Sequence, residues 1–142
     1  ETVDRLQIPV VANGDIVDIS SARQMLDDTG CAGLMVGRGA MRNPWLIRQL
    51  GQWMRGEEVL DPTLEERRRL LLAFIEETES SFRTPKGALG RIKGLCSQYL
   101  QGWPAGLEVK KAALRSKTIE ELRGHLDQAF VELPPGRLAV LG

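Results

Sequence analysis

Two short stretches of the chain could hold an anion. Residues 12–16 read Ala-Asn-Gly-Asp-Ile and residues 36–40 read Val-Gly-Arg-Gly-Ala, each placing small residues at the end of an apolar run. A phosphate group needs hydrogen-bond donors at short range and little bulk, and both glycine backbone and the start of a helix supply them. Asn13, Gly14 and Asp15 would form the first turn, and Gly37, Arg38 and Gly39 the second. Arg38 adds a permanent charge on a forked donor set suited to phosphate. Taken singly, Asn-Gly and Gly-Arg-Gly are ordinary turns. As a pair at the ends of neighbouring strands they define a candidate phosphate site. Asp15 fits it least, because a carboxylate repels phosphate. Capping the next helix, or orienting the loop through its own hydrogen bonds, explains Asp15 better.

A second candidate is electrostatic. Residues 83–123 carry Arg83, Lys86, Arg91, Lys93, Lys110, Lys111, Arg115, Lys117 and Arg123 against Glu108, Glu120 and Glu121, a local net charge of +6 in a chain whose formal net charge is zero. One-sided clustering of this kind is the footprint of a polyanion partner, with a solvated charged face as the plain alternative. Arg67, Arg68 and Arg69 are balanced by Glu65, Glu66, Glu76 and Glu77 and read as surface. His125 has no ligand partners nearby in sequence, so no metal site is expected. Cys31 and Cys96 lack CxxC spacing, which excludes a disulfide framework or zinc site and suits a reducing cytoplasm. Trp45, Trp53 and Trp103 read as anchors of helices and of the domain junction. No apolar run is long enough to span a membrane.

These residues must be positioned by regular elements. Residues 8–12, Ile-Pro-Val-Val-Ala, and 33–36, Gly-Leu-Met-Val, are continuous apolar runs that predict strands buried on both faces. Between them a helix is predicted over 19–29, capped by Asp18 or Ser20, with Ile19, Ala22, Met25 and Leu26 on one face and Gly30 as its stop. Asn43-Pro44 should open a short helix carrying Trp45, Leu46, Gln49 and Leu50. Strand, helix, strand, helix is a βαβα unit with parallel strands.

From residue 64 onward the pattern is helical only. Helices are predicted over 64–82, with Leu64, Leu71, Phe74, Ile75 and Phe82 as the core stripe, then over 87–101 and 104–115. Ser-Lys-Thr-Ile-Glu-Glu-Leu at 116–122 signals a fourth helix, capped by Ser116 or Thr118, that ends before Pro134-Pro135. The organisation expected is α/β plus all-α: an incomplete barrel end at 1–56, a linker at 57–63, a four-helix domain at 64–131 and a loose tail at 132–142. The chain of 142 residues opens on Glu1 with a strand close behind, so it reads as a piece of a longer protein, and its strand pair should leave an apolar flank that needs cover.

The stretches Ile-Pro-Val-Val-Ala-Asn-Gly-Asp-Ile and Gly-Leu-Met-Val-Gly-Arg-Gly-Ala-Met-Arg-Asn-Pro-Trp-Leu resemble the end of the flavin-binding barrel of tRNA-dihydrouridine synthases. Gly-Arg-Ile-Lys-Gly-Leu-Cys-Ser-Gln-Tyr-Leu-Gln-Gly and Leu-Arg-Ser-Lys-Thr-Ile-Glu-Glu-Leu resemble the helical domain that follows, closest to the bacterial C-type enzymes acting at position 16 of the D-loop. The resemblance implies the last two βα units of a (β/α)8 TIM barrel (β7-α7-β8-α8), an FMN cofactor reduced by NADPH, and reduction of uridine to 5,6-dihydrouridine in tRNA. It implies FMN-phosphate contacts at Asn13, Gly14, Asp15, Gly37 and Arg38, and tRNA contacts at Arg91 and Lys93, with Tyr99 stacking or hydrogen bonding. The family's proton-donating cysteine belongs to an earlier part of the barrel, so Cys31 and Cys96 read as packing residues and the chain alone as inactive. A cytoplasmic enzyme, monomeric at full length, is the expectation. The rival readings are a stand-alone helical RNA-binding module and another FMN-phosphate barrel oxidoreductase acting on a small molecule.

Overall fold

The computed structural model describes residues 2–101 and 106–132. They divide into two compact units between Leu60 and Asp61, inside the stretch read as a linker.

The first unit runs α1 (Thr2–Arg5), β1 (Val11–Asn13), α2 (Ile19–Thr29), β2 (Gly33–Met35), α3 (Gly39–Arg42) and α4 (Leu46–Met54). β1 and β2 pair in parallel, with Val11 opposite Gly33, Ala12 opposite Leu34 and Asn13 opposite Met35. The ends of α2 follow its sequence. Asp18 accepts from the Ser21 N–H at 2.7 Å while the Asp18 N–H donates to the Ser21 hydroxyl at 3.1 Å, a capping box with serine in the reciprocal role. Gly30 closes the helix in the left-handed conformation, its N–H on the Leu26 carbonyl at 2.8 Å. Ile16, Ala22, Leu46 and Leu50 form the buried core, with Ile19, Met25, Leu34, Val36 and Trp53 packed on it.

The structure differs from expectation in several places: α1 is not among the predicted elements, and β1 covers Val11–Asn13 rather than 8–12, so Asn13 ends the strand instead of opening the turn. Val11 is 62% exposed and Met35 54%, so the strands are not buried on both faces; the core gathers against α2 and α4 only. A one-turn helix, α3, follows the second glycine turn. The next helix, α4, starts at Leu46 rather than at Pro44, because the Asn43 side-chain carbonyl accepts from the Trp45 N–H at 3.2 Å and holds Pro44 in a turn before the helix.

The second unit contains α5 (Leu64–Ser81), α6 (Pro85–Tyr99), α7 (Gly106–Arg115) and α8 (Ile119–Glu132) among the described residues. Each helix packs on its neighbour in sequence. Thr63 and Glu66 form a full capping box for α5, at 3.1 and 2.7 Å. Thr84 caps α6, with Pro85 in the first turn, which starts that helix two residues before the predicted position. Thr118 caps α8, accepting from the Glu121 N–H at 3.1 Å. The core holds Leu71, Ile75, Ala88, Ile92, Cys96, Leu122 and Leu126. Phe82, predicted to complete the core stripe, is exposed just past the end of α5. Arg67, read as surface, is 0% exposed, and burial lowers its pKa from the ordinary value. Trp103, Pro104 and residues 133–142 lie outside the described residues.

Candidate functional site

Because β1 and β2 lie in register, the chain leaves both strands at the same edge. Residues 13–17 and 37–39 line a single cavity of about 320 Å3, which brings Asn13, Gly14, Asp15, Gly37 and Arg38 together. The volume far exceeds one water molecule's share of roughly 30 Å3.

The three glycines have different physical reasons. Gly14 has φ +155°, a conformation L side chains rarely adopt. Gly39 is sterically required: a Cβ there would lie 2.1 Å from the Ile16 carbonyl oxygen. That closeness is what clamps the second turn against the first. Gly37 has neither constraint, since a Cβ there would meet nothing within 4 Å. Its missing side chain leaves room beside the cavity. Ile16 and Val17 also line the cleft, and nothing in their residue types marked them in advance.

Asp15 takes the second of the two roles considered for it. Asp18, not Asp15, caps α2. The Asp15 carboxylate accepts from an Arg38 Nη at 2.8 Å, and Asp15 sits at φ +32°, a left-handed conformation unusual for a residue other than glycine. Both side chains are open to solvent, 88% and 84% exposed, so the pair is worth at most about 1 kcal/mol. A phosphate, with its greater negative charge, can compete for the guanidinium at small cost.

In the helical unit, Arg91 is exposed on α6 and Lys93 is half-buried on the same helix. Lys93 lines a groove together with Lys86, Arg115 and Lys117; Arg91 does not. Tyr99 cannot serve as a stacking contact. It is 1% exposed, and its hydroxyl donates to the Arg67 carbonyl at 2.9 Å, tying α6 to α5. Burial pushes its phenol well above the ordinary range. Its sequence neighbourhood suggested RNA, but its position on α6 turns it into the core. Cys31 and Cys96 are both buried, and burial pushes the Cys96 thiol up to about 11. No group of His, Cys, Asp and Glu among the described residues could hold a metal ion, and no helix among them is long and apolar enough to cross a membrane.

A parallel βαβα unit with converging strand-end turns, followed by a helical unit, is the architecture of an α/β protein that binds ligands at the carboxyl ends of its strands. The chain belongs to the dihydrouridine synthase family, whose model matches residues 1–133. It is 37% identical over 116 residues to a probable tRNA-dihydrouridine synthase of Mycobacterium leprae, an alignment covering 81% of this chain and 30% of that protein. It is 35% identical over 128 residues to a probable tRNA-dihydrouridine synthase of Mycobacterium tuberculosis strain H37Rv, covering 89% of this chain and 33% of that one. It is 42% identical over 84 residues to tRNA-dihydrouridine synthase B of Escherichia coli K12, covering 58% and 26%. The chain thus spans about a third of the length of these relatives or less. The one subfamily letter among these three names is B, not the C-type that the helical stretch resembles.

Proposed function

We infer that this chain is the C-terminal portion of an FMN-dependent tRNA-dihydrouridine synthase. The observation that carries the reading is the contact between the two strand-end turns, where Gly39 admits the Ile16 carbonyl and one cleft results. The residues fit a phosphate monoester. Gly14 and Gly37 keep the approach free of side chains, and Arg38 supplies a cation whose only ion pair among the described residues is the exposed one to Asp15. Asn13 at the end of β1 and Asp15 in the turn complete that side of the cleft. When bound, FMN reduced by NADPH would supply the hydride that saturates the uridine C5–C6 bond.

The work of this chain is then to hold. The first unit anchors the cofactor phosphate, and Arg91 and Lys93 of the helical unit contact tRNA phosphates. The target uridine must leave its stack to be reduced. Neither cysteine here is placed to donate the accompanying proton, since both are buried. The exposed Val11 and Met35 faces would be covered by the remaining strands of a barrel in the full-length, cytoplasmic enzyme. Arg38→Ala in that enzyme should lower the flavin retained through purification; unchanged flavin content would refute the phosphate site. Arg91→Ala with Lys93→Ala should weaken tRNA binding and flatten its salt dependence by about 1.4–1.8 in log–log slope, for two phosphate contacts.

A further inference from the structure

The groove in the helical unit has walls and a floor of different chemistry. Lys86 and Lys93 stand seven residues apart on α6, so they share one face of that helix. Leu89 and Gly90 lie between them on the same face. The opposite wall is the junction of α7 and α8, which brings Arg115 and Lys117 across from them. Pro85, Leu89 and Ile119 supply the apolar floor, and the open groove has a volume of about 740 Å3.

Three facts make this more than a charged surface. First, among the described residues none of these four cations is in an ion pair, although Arg68, Arg69, Lys111 and Arg123 of the same unit all are. The one carboxylate of the groove, Glu79, is engaged by Arg123 at 2.5 Å. Second, the α7–α8 wall is held in place: the Lys117 N–H donates to the Glu121 carboxylate at 2.7 Å, and the Ser116 hydroxyl donates to the Ala112 carbonyl at 3.1 Å. Third, Gly90 sits in mid-helix where glycine is unfavourable, with an ordinary helical backbone and nothing within 4 Å of a Cβ built on it. Neither packing nor conformation asks for glycine there. Its effect is to widen the groove.

We propose that this groove takes one unstacked nucleotide of an RNA, with the base over the Leu89–Gly90 floor and its flanking phosphates held by Lys86 and Lys93 on one wall and Arg115 and Lys117 on the other. The proposal rests on the tRNA reading above and adds a subsite to it. A recessed aliphatic floor between two rows of cations outside any ion pair suits the apolar face of a base flanked by phosphates. An anionic bilayer would instead call for apolar side chains that project beyond the cations.

The test uses the full-length enzyme, with binding measured for unmodified tRNA, for a fully paired RNA duplex and for anionic phosphatidylserine vesicles. Gly90→Leu fills the groove without changing charge. It should weaken tRNA binding several-fold, leave the salt slope and duplex affinity unaltered, and raise the melting temperature. Lys86→Gln with Lys117→Gln should weaken tRNA binding about tenfold and flatten the salt slope by about 1.4, as expected for two contacts to single-stranded phosphates. Wild-type tRNA affinity in both variants overturns the subsite while leaving the family's tRNA reading intact. A parent enzyme that binds no tRNA overturns the underlying reading instead. Vesicle binding lost in these variants, with tRNA binding unchanged, assigns the groove to a membrane and overturns the proposal.

Discussion

Replacing Gly39 by alanine tests whether the two strand-end turns meet. The new Cβ would lie 2.1 Å from the Ile16 carbonyl oxygen, 3.1 Å from its carbon and 3.2 Å from the Leu46 Cδ2. Leu46 could adjust, but the Ile16 carbonyl is backbone, so the turns must separate by about 1 Å in an interior that is close-packed. Overpacking of this kind costs about 1–3 kcal/mol, and a backbone obstacle puts the cost near the top of that range. Alanine returns up to about 1 kcal/mol through better helix propensity. The net loss is about 2 kcal/mol, roughly 30-fold in the ratio of folded to unfolded molecules. In urea that lowers the midpoint by about 0.7 M or less, for a slope of about 3 kcal/mol/M or more in a protein of full length. The assay is urea unfolding of the full-length protein, followed by fluorescence and by release of bound flavin. Gly37→Ala is the control. It meets nothing within 4 Å, so its midpoint should hold, yet flavin retention should fall because the methyl group narrows the phosphate approach. A Gly39→Ala protein with an unchanged midpoint and full flavin would refute the contact and the site built on it.

Other consequences are more local. Asp18→Ala removes the α2 cap and should cost about 1 kcal/mol in urea unfolding. The backbone bond from Ser21, then its hydroxyl, hold the Asp18 carboxyl below its ordinary value of 3.8. The cap's contribution is therefore complete above about pH 4 and lost as the pH falls through the lowered folded value, so the stability difference between wild type and Asp18→Ala should shrink in acid. Tyr99→Phe should cost about 1 kcal/mol by removing the bond to the Arg67 carbonyl, with tRNA affinity unchanged; a loss of affinity at full stability would restore Tyr99 as a contact. Cys96, buried and with its thiol raised to about 11, should resist iodoacetamide at pH 8 until urea is added; mass spectrometry of the native protein would settle it.

The local signals were legible in advance for specific reasons. Asp18 and Thr118 act within one turn of their own helices, and so does Gly30 as a stop. Such short-range geometry is carried by residue type and spacing. The pairing of the two glycine turns followed as well, because a βαβ connection makes its strands parallel and sets their ends side by side. Pro44 misled because the Asn43 side chain and carbonyl accept from the Trp45 and Leu46 N–H groups and close a turn over Asn43–Leu46 ahead of the helix. Arg67 misled because the count of nearby carboxylates said nothing about which side of α5 it occupies against α6.

By itself, the sequence determined the order of the main helices and strands, the caps at Asp18 and Thr118, which two turns carry glycine, and the excess of positive charge after residue 83, since all of these depend on neighbours a few residues away. Only the tertiary structure decided that Gly39 must be glycine because of Ile16, that Asp15 reaches Arg38, that Tyr99 is core rather than contact, and that four distant cations share one groove. Those facts concern atoms brought together across long stretches of chain. Residue type states what a side chain can do, and packing alone states what it faces.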